Sequence, residues 1–229
     1  IKALEKAVKQ HFTFCDVRFI KDTKENKKAN KDSDMGFYLD YISKSVTKDV
    51  GGVGPVKITK TYYINYFYLM NREYKDRGDK KDMVAGYAFG EMSEAYPDEL
   101  HDFFPISIRL LNQYLEDAFQ YKTNKLNLVA SNNWKKRKIE TFYIFRGHAP
   151  HYMDKINELK TGLGVNVELV GIDEVQSMFF NASDQNKALI LPNRAWGEVD
   201  GMYYYIIQGG TAKVLHIEDI KGIKLKFFG

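Results

Sequence analysis

Asp200, Asp219 and Lys221 are the residues of this chain whose types and spacing best suit shared chemistry. They flank "MYYYIIQGGTAKVLHIED" (202–219), two β-prone runs joined by Gly209-Gly210, a pair suited to a two-residue hairpin turn with positive φ. With those glycines as the turn, Gln208 pairs with Thr211, Tyr204 faces Leu215 and Met202 faces Ile217. Further out, Asp200 faces Asp219 and Glu198 faces Lys221. Side chains alternate along a strand, so this register predicts one face that is apolar near the turn and acidic at the mouth. His216 falls on the opposite face. Two carboxylates directly opposed across strands are unfavourable without compensation. A Mg²⁺ ion held by Asp200 and Asp219 through oxygen would compensate. It would also make a nucleophile of bound water and stabilise charge on a phosphate. The other reading is a charged hairpin rim in which Glu198 and Asp200 share Lys221, a solvated network worth little. The residues alone leave both open.

An acidic residue on one strand, followed on the next by acidic-x-Lys, resembles the core of the metal-dependent nucleases called PD-(D/E)xK. Here the matching residues are Asp200 and then Asp219-Ile220-Lys221. The resemblance implies Mg²⁺ at Asp200 and Asp219, Lys221 orienting the water or phosphate, and DNA or RNA as substrate. A second stretch, "KIETFYIFRGHAPHYMDKINELKTGLGVNVELVGID" (138–173), is similar to a segment of bacterial actin-like proteins of the plasmid-segregation and pilus-assembly type. In those families a strand leads to a Gly-Gly-x-Ala turn near the adenosine of ATP, matched here by Arg146, Gly147, His148 and Ala149. "DVGGVG" (49–54) likewise resembles their Asp-x-Gly-Gly phosphate turn, which implies Asp49, Gly51 and Gly52 at the phosphates. Glycines let backbone N–H groups approach phosphate closely. Arg146 and His148 stand where that family has glycine, so the resemblance implies a degenerate nucleotide site and an assembly partner rather than an ATPase.

Other chemistry is weakly represented. There is no G-x-S-x-G elbow, and Cys15, the single cysteine, has no identifiable base. One cysteine permits neither an internal disulfide nor a cysteine-based zinc site. His148 and His151 lack a neighbouring carboxylate or cysteine cluster and read as a surface loop. "WKKRK" (134–138) could grip a phosphate backbone, although a solvated loop before a strand is the plainer reading.

These candidates need elements to position them. Ile1, Leu4, Val8 and Phe12 recur at helical spacing, and "TFCDVRFI" (13–20) then predicts a strand. A strand is expected over 35–46 and a glycine-rich turn over 48–58; 59–74 can be a strand or a helix, its β-branched and aromatic start favouring strand, and 83–96 is ambiguous. Ser107, Leu110, Leu111, Tyr114, Leu115, Ala118 and Phe119 fall at the spacing of a long helix. The 139–180 segment predicts strand, helix (151–164), strand and a helix capped by Asp173, the pattern of a layered α/β unit with parallel pairing.

The expectation is therefore a mixed α/β fold over 1–229 as one domain, with a C-terminal β-hairpin. Beginning at Ile1, the chain reads as a fragment or a processed product. A composition of 44% hydrophobic, 28% charged and 14% aromatic residues supports a packed core and excludes wholesale disorder. The net charge of +4 permits nucleic acid as a partner without demanding it. No apolar run is long enough to span a bilayer. The leading functional expectation is a cytoplasmic assembly or interaction protein with a protein partner and little or no catalysis. ATP or Mg²⁺ is the cofactor each resemblance would bring.

Overall fold

The computed structural model describes residues 2–20, 23, 37–71, 83–93, 100–122, 138–146, 166–194 and 202–219. The fold is mixed α/β. Helix α1 (Lys2–His11) is followed in chain order by three strands, β1 (Phe37–Val53), β2 (Val56–Asn71) and β3 (Met83–Ser93). Helix α2 (Leu100–Tyr121) follows, then β4 (Thr141–Phe145), β5 (Asn166–Val170), α3 (Ile172–Phe180), β6 (Lys187–Arg194), β7 (Met202–Gln208) and β8 (Val214–Asp219).

Two sheets result. The larger has the order β5-β4-β6-β7-β8, with β4 parallel to both neighbours and the remaining pairs antiparallel. The parallel β4–β5 pair and helix α3 match the layered unit expected from the sequence. Its first expected helix, 151–164, lies outside the described residues. The smaller sheet is an antiparallel meander, β1-β2-β3, and β3 approaches both α2 and β6. Of the ambiguous 83–96 segment, Met83–Ser93 is a strand, paired antiparallel with β2.

The core lies between α2 and the larger sheet. Helix α2 buries Phe103, Phe104, Ile106, Leu110, Leu111, Tyr114 and Leu115, and the sheet contributes Phe145, Val170, Leu189, Leu191 and Ile207. Phe103 meets Phe145 edge-on at 4.8 Å, a geometry aromatic quadrupoles favour. Helix α1 closes one side through Ala7 and Val8, and α3 through Val175, Met178 and Phe179.

Three local expectations are corrected. Residues 12–20 form no strand: they run as bends and irregular backbone, exposed from Thr13 onward. Helix α3 is preceded by Gly171, with no side-chain cap, and Asp173 sits within its first turn. There its carboxylate can favour the helix dipole without capping.

The third correction concerns the β7–β8 hairpin. Its register places Ile206 opposite His216, Tyr205 opposite Ile217, Tyr204 opposite Glu218 and Tyr203 opposite Asp219. The connection is thus longer than two residues. The Gln208 N–H donates to the Lys213 carbonyl, and the Ala212 N–H to the Gln208 carbonyl. The cause is tertiary. Gly209 donates its N–H to the Lys187 carbonyl and Gly210 to the Met178 carbonyl, each at 2.9 Å. The buried Gln208 amide donates to the Gln185 carbonyl at 2.7 Å. The turn is therefore moulded onto the 178–187 segment, and a tight free-standing turn could not reach these partners.

Candidate functional site

The described residues gather one surface whose chemistry is not explained by the fold. It begins where α1 ends. Asn112, buried on α2, accepts the backbone N–H groups of Thr13 and Phe14 through Oδ1 at 2.7 and 2.8 Å. Its Nδ2 donates to Glu116 Oε1 at 2.7 Å, so both ends of the amide are engaged. This clamp turns the chain out of α1 and along the last turns of α2. It satisfies donors that a strand ladder would otherwise have to meet.

Beyond the clamp, Phe14, Val17, Phe19 and Ile20 are each 36 to 44% exposed. Phe119 and Tyr121, on the last turn of α2, are 78% and 58% exposed. Phe14 and Phe119 meet edge-on at 6.2 Å, which brings the two segments into contact there. Lys9 places its ammonium 5.2 Å from the Phe19 ring centroid, a cation–π contact at the rim. Exposed Cys15 lies within the patch, its thiol pushed up by burial and by the adjacent Asp16 carboxylate, and so kept protonated.

A second cluster forms at the α1 terminus, around His11. His11 stacks on Phe180 at 4.5 Å, and the Arg109 guanidinium lies 5.3 Å from the centroid of the same ring. Arg109 Nη2 donates to the Gly210 carbonyl at 2.6 Å. Burial, and then the Arg109 charge, push the His11 imidazole below its ordinary value. This cluster ties α1, α2, α3 and the β7–β8 turn together. It presents no nucleophile and base in reach of one another.

The residues expected to do chemistry are placed as follows. Asp219 ends β8 opposite Tyr203, not opposite Asp200 as the expected register had it. Asp200 and Lys221 lie outside the described residues, as do Gly147, Ala149, His148 and His151. Among the described residues no group of three histidine, cysteine, aspartate or glutamate side chains could hold a metal. Asp49, Gly51 and Gly52 lie in β1, where a bulge between Asp49 and Gly51 precedes the β1–β2 turn. Gly51 has φ +138, and a Cβ on Gly52 would fall on the Val56 carbonyl. Hairpin geometry thus accounts for both glycines.

Sequence reasoning missed Phe14, Val17, Phe19 and Ile20 by taking them for strand residues, and used Phe119 only as one of the residues that mark the long helix. A signal was present: the alternation of Phe12 and Phe14 breaks at Asp16 and resumes out of phase at Val17 and Phe19. That pattern fits neither a strand nor a helix. Among the described residues no helix is long and apolar enough to cross a membrane. Comparison with protein-family models, curated proteins and solved structures finds no match.

Proposed function

We propose that this chain is an assembly protein, with little or no catalysis, that self-associates through the Phe14–Ile20 and Phe119–Tyr121 surface. The observation that carries the reading is the exposure of six large apolar residues on two segments in contact. At about 200 Å² per aromatic side chain, the four aromatics alone leave about 400 Å² in water. Val17 and Ile20 bring the patch to about 500–600 Å², the upper end for a typical monomer and a size that marks interaction sites. Two copies face to face would cover about 1,000–1,200 Å², at the lower edge of stable interfaces. A second copy is thus a sufficient occupant, and the weakness of such an interface suits reversible assembly. A reducing, cytoplasmic setting accords with the free thiol of Cys15 inside the patch.

Sedimentation equilibrium under reducing conditions tests this, since reductant keeps Cys15 from linking copies covalently. The wild-type chain should show concentration-dependent dimers, and Phe19→Ser with Phe119→Ser should be monomeric. A wild-type chain that stays monomeric throughout overturns self-association. The actin-like resemblance would add nucleotide control, visible as a change in the same equilibrium with ATP-Mg²⁺.

A further inference from the structure

Helix α1 ends at His11, just before the Asn112 clamp begins. The Phe12 N–H donates to the Val8 carbonyl at 3.0 Å, and the Thr13 and Phe14 N–H groups then go to Asn112 Oδ1. Whatever moves the end of α1 therefore bears on those two bonds and on the apolar segment behind them. His11 is placed to do so. Its partly buried imidazole stacks on Phe180 at 4.5 Å, with 27° between the ring planes. The Arg109 guanidinium lies 5.3 Å from the centroid of the same ring. Arg109 is anchored: its Nη2 donates to the Gly210 carbonyl at 2.6 Å, and the Gly210 N–H is itself held by the Met178 carbonyl. The movable partner is His11, the last residue of a ten-residue helix.

A proton on His11 puts a second cation beside that fixed guanidinium. Like charges repel, the more strongly where water is partly excluded. The imidazolium would gain some attraction to the Phe180 face. Burial and the Arg109 charge outweigh it, since together they hold the imidazole below its ordinary value. The acids of the elements packed around His11 are placed elsewhere. On α2, Asp102 and Glu116 each stand seven positions from Arg109, about 10 Å along the axis at roughly 1.5 Å per residue. Glu116 bears on Arg109 and accepts from Asn112 Nδ2. On α3, Asp173 and Glu174 occupy the first turn, whereas Phe180 is the last residue. Asp184 pairs with Lys187 at 2.9 Å. On α1 the residues one turn before His11 are the apolar Ala7 and Val8, Glu5 lies a further turn back, and Lys9 reaches the Phe19 ring. Beyond the clamp Asp16 bears on Cys15, and Arg18 lies further along the exposed segment. Among the described residues, Arg109 is thus the charge that bears on His11.

We propose that His11 is a proton switch for the Phe14–Ile20 surface. Neutral, it docks the end of α1 and keeps the clamp closed; protonated, it withdraws from Arg109 and opens the clamp, so that acid dissolves the assembly. The proposal rests on the self-association reading and adds its regulation. Linkage gives the sign. The released imidazole titrates near the ordinary 6.5 and the docked one below it. The docked form therefore binds fewer protons and loses ground as pH falls through that window. Each copy takes up at most one proton there, so the logarithm of the dimer dissociation constant changes by at most about two per pH unit.

Two readings of the full chain test it between about pH 7.5 and 5.5, where histidine is the side chain that ordinarily titrates. In sedimentation equilibrium under reducing conditions the dimer dissociation constant should rise more than about threefold on acidification. His11→Gln should keep the neutral-pH constant throughout. A nitroxide on Cys15, the single cysteine, reports the segment itself by electron spin resonance in a dilute, monomeric sample. Its lines should sharpen as the wild type is acidified and stay broad in His11→Gln. A thermal melt matching the wild type at neutral pH confirms that the variant folds. Should it not fold, the wild-type label decides: a response confined to below about pH 4.5, where carboxylates titrate, overturns the switch. Label mobility that ignores pH, or that changes equally in His11→Gln, overturns it whether or not the chain self-associates. A label that responds on a chain that stays monomeric at every concentration overturns the self-association reading, and its regulation falls with it.

Discussion

Phe119→Ser separates a surface residue from a core residue more sharply than any other single change. The ring is 78% exposed and meets Phe14 edge-on at 6.2 Å. Losing that contact costs the fold about 0.5–1.5 kcal/mol. For a chain of this size the melting temperature should then fall by only about 2–4 °C per kcal/mol. Association is affected differently. With about 150–250 Å² in an aromatic side chain, the exposed part of Phe119 amounts to about 120–200 Å². Covering it completely is worth about 3–5 kcal/mol at roughly 25 cal/mol per Å². A two-fold interface would use each ring once per copy. Ordering and imperfect desolvation consume most of that gain, so a net loss of about 2 kcal/mol per dimer, the threshold of a hot spot, is the expectation. That corresponds to a dissociation constant raised about 30-fold. Sedimentation equilibrium under reducing conditions reads the constant, and a thermal melt of the same samples reads the fold. A change in association below about threefold would refute the interface, given 1.4 kcal/mol per decade. A fall in melting temperature near 10 °C would instead show that Phe119 belongs to the core.

Asn112→Ala leaves the Thr13 and Phe14 N–H groups without their acceptor and should cost about 1–3 kcal/mol by urea denaturation. It should also weaken self-association, because it frees the segment that carries Phe14; unchanged association would show that the clamp does not shape the surface. Gly209→Ala would put a methyl group 2.5 Å from the Asp184 carbonyl and 2.7 Å from Met178. A shift of the turn should cost about 1–3 kcal/mol, and a denaturation midpoint equal to wild type would contradict the moulded turn. For His11, the folded-state value lies below the ordinary 6.5. Between the two the unfolded chain binds more protons, so this contribution is complete above the ordinary value and is lost as pH falls through that window. His11→Gln should therefore flatten the fall in urea midpoint between neutral and mildly acidic pH, and parallel profiles for variant and wild type would count against it.

The sequence by itself determined the elements whose residues agree with their neighbours at short range. Helix α2 was legible because Leu110, Leu111, Tyr114 and Leu115 recur at helical spacing. Strands β4 and β5 were legible because short apolar runs are bounded by breakers. The mixed α/β class followed from their order. Tertiary structure decided whatever depended on a partner distant in sequence. Gly209 and Gly210 suit a two-residue turn locally, yet their N–H groups are taken by Lys187 and Met178, and the register of β7 on β8 moves with them. That shift puts Tyr203 opposite Asp219, and with it goes the carboxylate pairing that the short-range pattern suggested. Residues 13–20 have the composition of a strand, but the described residues offer them no ladder, and the Asn112 amide, about a hundred positions away, takes their first donors instead. That Phe119 meets water, and Phe14, rather than the core was likewise decided only by the packed chain. Periodicity reports which face of an element is apolar; only the packed chain fixes how far along that face the core extends.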